Sequence, residues 1–238
     1  MKTDTIGYQD GDAALEGYIA YDDTMDGARP GIVIYHDWMG VGPYVENRCR
    51  QLAQLGYVAF AADIYGRDSR PSGREDAPVI AGRFKNDRKL MRRRASAGLE
   101  ALKHSGPADP GRLAAIGYCF GGTCALELAR SAADIKGVIT FHGGLDTPSP
   151  GDAANIKGKV LVLHGADDPF VPPSQVQAFQ EEMRAAKVDW HMVSYGFAVH
   201  SFTIPNAGDD PSQGAAYNRT ADRRSWQAMR TFLEEVLT

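Results

Sequence analysis

The chain has 238 residues, 43% hydrophobic and 24% charged, with a formal net charge of -4. A single domain of that size buries enough core to need no disulfide or metal staple, and so mild a charge gives no electrostatic reason to expect nucleic acid or an anionic membrane as partner. Its cysteines, Cys49, Cys119 and Cys124, are odd in number and lack Cys-x-x-Cys spacing, which argues against a disulfide framework or a zinc site. The expectation is a chain with no metal and no cofactor, free thiols and a cytoplasmic location. Met1–Gly7 has no apolar signal core, and no window approaches a transmembrane helix in length.

Two alternating stretches, Asp4–Tyr8 and Ala14–Tyr21, read as an antiparallel hairpin turning at Gln9-Asp10-Gly11-Asp12. Gly31–Tyr35 is a compact apolar run of the kind covered on both faces of a sheet. Tyr44–Leu55 has helical spacing through Val45, Cys49, Leu52 and Leu55, and Tyr57–Ile64 is the next buried strand. Arg67–Gly82, rich in Gly, Pro, Arg and Asp, reads as an exposed excursion. Helical spacing returns over Asp87–His104, where Arg92-Arg93-Arg94 reads as a solvated face without a role.

Beyond it the pattern gives strand Leu113–Gly117, helix Gly121–Ser131, strands Gly137–His142 and Val160–His164, and helix Pro173–Ala186. Strand Trp190–Tyr195 and a terminal helix near Tyr217–Val236 complete it. Strands alternating with helices imply βαβ units around a mostly parallel sheet, and no repeat or linker divides residues 1–238. The fold class is α/β.

The chemistry gathers at the turns. Gly117-Tyr-Cys119-Phe-Gly121 stands between an apolar strand and a helix. A nucleophile on so sharp a turn occupies a strained conformation, and side chains on the flanking positions would meet neighbouring backbone. The turn raises the sulfur above the sheet edge at a helix N-terminus, whose partial positive charge favours a thiolate. A buried structural cysteine beside a glycine-rich loop is the bland alternative, and Cys49 and Cys124 are read that way.

An acid and a histidine follow in the chain order expected of the partners of a nucleophile on a strand-to-helix turn. Gly165-Ala-Asp-Asp168-Pro-Phe-Val-Pro172 leaves the strand Val160–His164 as an acidic turn, with Asp168 favoured over Asp167 as the partner of an imidazole. Of the six histidines, His36, His142 and His164 also sit at strand ends, but only His200 lies after the acid in the loop that follows the last strand, Trp190–Tyr195. At the exit of the first apolar strand, Tyr35-His36-Asp37-Trp38 lies where ligand sites of parallel sheets collect. Backbone N–H groups of Trp38 and Phe120 are the expected oxyanion donors. Asp37 on its own reads as a turn residue. Trp38 and Phe202 read either as apolar pocket walls or as core.

Gly117-Tyr-Cys-Phe-Gly-Gly122, Gly165–Pro172 and Ala198-Val-His-Ser-Phe202, in that order, resemble the dienelactone hydrolase family of α/β-hydrolases from about Pro30 onward. The resemblance implies a Cys119–His200–Asp168 triad that hydrolyses a small-molecule ester or lactone through a thioester. It also implies that an acid after the first strand contacts the resting thiol. Asp37 holds that position here, one methylene shorter than the glutamate of the dienelactone enzymes. Those enzymes clamp a substrate carboxylate with arginines, one placed where this chain has Ile204; losing it favours a less acidic substrate. A non-catalytic small-molecule-binding protein on the same scaffold is the alternative. A Cys119/Cys124 redox pair is disfavoured, because the two do not share a helix face.

Overall fold

The computed structural model describes residues Met1–Thr238. Strands β1 (Lys2–Asp10) and β2 (Ala13–Tyr21) form the expected antiparallel hairpin, with Asp10 opposite Ala13, so the turn is the two residues Gly11 and Asp12. The remaining strands are β3 (Arg29–Tyr35), β4 (Val58–Ala62), β5 (Ala108–Tyr118), β6 (Gly137–Phe141), β7 (Lys159–Gly165) and β8 (Trp190–Tyr195). One eight-stranded sheet results, in the order β1-β2-β4-β3-β5-β6-β7-β8. From β4 to β8 all neighbours are parallel, whereas β2 meets β4 antiparallel.

The side-chain alternation of the inner strands builds two cores. Val33, Ala115, Val138 and Val160 point to one face, under helices α2 (Ala77–Asn86), α3 (Arg88–Lys103), α4 (Phe120–Arg130) and α5 (Pro173–Ala186). Ile32, Ile34, Ile116, Ile139 and Leu161 point to the other, under α1 (Pro43–Gln54) and α6 (Arg219–Leu237). Helices on both faces are why β3, β5, β6 and β7 read as unbroken apolar runs. Cys49 and Cys124 are fully buried in these cores, as expected. Phe202 is core as well, with no exposed surface. No helix is long and apolar enough to cross a membrane.

Two expectations need correcting. Arg67–Gly82 is only partly an excursion, because after a short turn at Arg67–Ser69 helix α2 starts at Ala77. Pro78 stands in its first turn, and Ala77, Ala81 and Phe84 face the core at helical spacing. The arginine run is a solvated face only at Arg93. Arg92 donates to the fully buried Glu127 at 2.7 Å and to Asp152 at 2.6 Å, and Arg94 is buried beside Asp10. A buried carboxylate needs a cation, and α3 packs close enough to α4 to supply one.

Candidate active site

Every residue singled out for chemistry follows a strand at the same edge of the sheet. Cys119 comes directly after β5, with φ 55° and ψ -117°, a left-handed conformation that costs energy outside glycine. The flanking glycines permit it. A Cβ on Gly117 would lie 1.9 Å from the Gly121 carbonyl oxygen, and one on Gly121 would lie 2.1 Å from that of Tyr35. The Cys119 N–H donates to the Phe141 carbonyl at 3.0 Å, fixing the turn against β6.

Asp168 sits in the turn after β7, buried, where its Oδ1 accepts from the Phe170 N–H at 2.8 Å. Asp167, its rival in the sequence, is exposed. His200 lies in the loop after β8, held by its N–H to the Gly214 carbonyl and by its own carbonyl to the Ala216 N–H. Its Nδ1 is 2.8 Å from Asp168 Oδ2, and its Nε2 is 3.0 Å from Cys119 Sγ. Carboxylate, imidazole and sulfur thus form one hydrogen-bonded line. Burial opposes a charge on His200, but the sulfur and the Asp168 bond outweigh it and push the imidazole up to about 10. An imidazolium 3.0 Å away offers the sulfur a counter-charge.

Asp37 makes no hydrogen bond to Cys119: its Oδ1 accepts from the Met39 N–H at 2.7 Å. Burial pushes its carboxyl upward, against the pull of the Met39 bond and of His36. Phe120 opens α4 and so has no acceptor within that helix for its N–H. The Trp38 N–H likewise meets no protein acceptor. Two residues that the sequence reading did not single out belong here. Tyr65, after β4, donates its hydroxyl to the Trp38 carbonyl at 3.0 Å and packs its ring 5.3 Å from that of Phe120. Phe170, 59% exposed, stands edge-on to His200 at 5.3 Å. The acidic turn Asp-Pro-Phe carried a signal for Phe170, whereas Tyr65 carried none beyond its place at a strand end.

Residues 15–237, from the second strand to the last helix, match the family model described as the dienelactone hydrolase family. The chain belongs to that family. It is a hydrolase of the ester and lactone class. Among solved structures it is similar to m3DLH, at 41% identity and TM-score 0.95 over 100% of this chain and 99% of that one. It is also similar to a dienelactone hydrolase-like promiscuous phosphotriesterase, P91, from metagenomic libraries, at 40% identity and TM-score 0.94 over 100% and 99%. A Salmonella typhimurium protein named provisionally as a carboxymethylenebutenolidase is 27% identical over 90% of this chain and 80% of its own length. Against the dienelactone pattern, Ile204 remains the departure at the clamp. Of the arginines nearby, Arg70 pairs with buried Asp63 at 3.1 Å, and Arg74 donates to the Asn206 carbonyl at 2.7 Å.

Proposed function

We propose that this dienelactone hydrolase-family enzyme cleaves uncharged, apolar esters or lactones with Cys119 as nucleophile, His200 as acid–base and Asp168 as its orienting carboxylate. The observation that carries this reading is the hydrogen-bonded line from Asp168 through His200 to Cys119, at 2.8 and 3.0 Å. The thiolate of Cys119 attacks the carbonyl carbon, and the N–H groups of Trp38 and Phe120 receive the negative charge that develops on oxygen. The C–O bond to the leaving group breaks as His200 gives the departing alkoxide its proton, leaving a thioester. His200, now neutral, takes a proton from water, which attacks the thioester, and the acid departs with Cys119 restored. Asp37 supports a lesser role, as the carboxylate that shapes the Trp38 turn through Met39.

Ile204, at the position of one clamp arginine of the family, and the apolar face of Phe170 support an uncharged substrate, since a substrate carboxylate would lack that bidentate partner. The test is turnover on a panel of aryl esters and of lactones with and without a carboxylate, comparing wild type with Cys119→Ala and Cys119→Ser. Cys119→Ala is expected to fold normally and lose turnover, and near-normal activity in it would end the proposal. A preference for carboxylated lactones would overturn the substrate class alone. Saturable binding without turnover of any member would favour the binding-protein reading. The likeness to P91 adds a phosphotriester to the panel, attacked at phosphorus by the same sulfur, and any such activity should vanish with Cys119.

A further inference from the structure

His142 follows β6 in a left-handed conformation, φ 40°, although Gly143 and Gly144 come next. It is wholly buried, and its Nδ1 has no hydrogen-bond partner. Strained backbone and an orphaned buried nitrogen each destabilise the fold. A phenylalanine would avoid the second cost in the same space, so the other nitrogen must matter. That nitrogen, Nε2, lies 2.7 Å from Thr203 Oγ1, which is itself 2.6 Å from the Tyr44 hydroxyl. Arg48 donates from Nε to Tyr44 at 3.4 Å and from Nη2 to the Thr203 carbonyl at 3.1 Å.

Arg48 can only donate to Tyr44, and the arrangement that gives both hydroxyl protons an acceptor runs one way. Tyr44 gives its proton to Thr203, and Thr203 gives its own to His142. Thr203 belongs to the tight turn directly after His200, closed by Ile204 N–H to the Ser201 carbonyl at 2.9 Å. The His142 ring also meets the His200 ring edge to face, with centroids 5.4 Å apart, and the Phe202 ring at 5.0 Å.

We propose that His142 is a positioning residue: through Thr203 and its edge-on contact it holds the His200 imidazole on the line between Asp168 and Cys119. It touches neither the sulfur nor substrate. Burial first, then the charges of His200 and Arg48, keep its own imidazole well below the usual range, so it faces a His200 imidazolium without repelling it. An apolar ring would supply the wall but not the bond to the turn.

The inference rests on His200 acting as the acid–base, so His200→Ala and Cys119→Ala serve as controls. Kinetics on one aryl ester, with melting curves throughout, would compare His142→Phe, Thr203→Val, Thr203→Ser and the His142→Phe/Thr203→Val double variant. His142→Phe and Thr203→Val should each lower kcat about tenfold to a hundredfold, with KM within about twofold, as expected of a displaced catalytic group. The double variant should lose no more than the worse single one, since both break the same link. Thr203→Ser, which keeps the hydroxyl, should recover most of the loss seen in Thr203→Val. Wild-type kcat in His142→Phe, losses that multiply in the double variant, or a rise in KM in place of a fall in kcat would overturn the proposal. Should His142→Phe fail to fold, the Thr203 pair decides alone. Activity surviving in His200→Ala would defeat the catalytic reading instead.

Discussion

At His200 the neighbouring Cys119 sulfur and Asp168 carboxyl outweigh burial, and this makes the stability of the chain depend on pH. The imidazole titrates at about 10 in the folded chain against an ordinary 6.5, so the folded form binds a proton that the unfolded form has released. The stabilisation is whole below 6.5 and is lost as pH rises toward 10. Melting temperature should therefore fall across that window, and Cys119→Ala, which removes the largest source of the upward shift, should flatten the fall. Asp168→Asn should keep the fold and lower kcat by about 10³-fold or more, because the amide cannot hold the imidazole in its productive tautomer. Cys119, Asp168 and His200 were legible in the sequence because each sits in a turn whose letters and order are constrained. The direction taken by the Asp37 carboxylate, and the places of Tyr65 and His142, were not. They depend on which neighbouring strand end lies beside them, and spacing within one segment carries no trace of that.

Among the elements, the β5–α4 turn tolerates least. Gly121→Ala would put a Cβ 2.1 Å from the Tyr35 carbonyl oxygen, a backbone atom that cannot move without disturbing β3. The expected result is a loss of about 3 kcal/mol or more, or no folded protein, read by urea denaturation. The start of α3 is milder. Asp87 caps it by accepting from the Leu90 N–H at 2.9 Å, and Asp87→Ala should cost about 1 kcal/mol with turnover unchanged. Most strands and helices were readable because apolar runs and helical spacing repeat cleanly. Helix α2 was hidden: Arg, Gly and Pro from Arg67 to Gly73 gave the whole stretch the look of a loop, although Ala77, Ala81 and Phe84 already stood on one face.

Across the whole molecule, charge is buried as well as apolar surface. Glu127 takes Arg92 and Arg130, and Arg130 in turn makes a two-pronged contact with Glu182 at 2.8 Å, all with little or no solvent. Arg130→Met would leave both carboxylates without that guanidinium. It should cost about 3–5 kcal/mol in the melt while leaving kcat unchanged, since the cluster lies away from Cys119. Nothing along the chain signals this cluster, because its members come from three helices that only the sheet brings together. The same sheet separates the partners of the site, with Cys119 and His200 standing 81 residues apart in the chain. They follow β5 near the middle and β8 at one edge, with β6 and β7 between. No fragment short of the whole parallel half can bring them together, and such non-local pairings are the slow ones to form. During refolding from urea, helical signal should return first and esterase activity last, making turnover a clock for the final strand to dock.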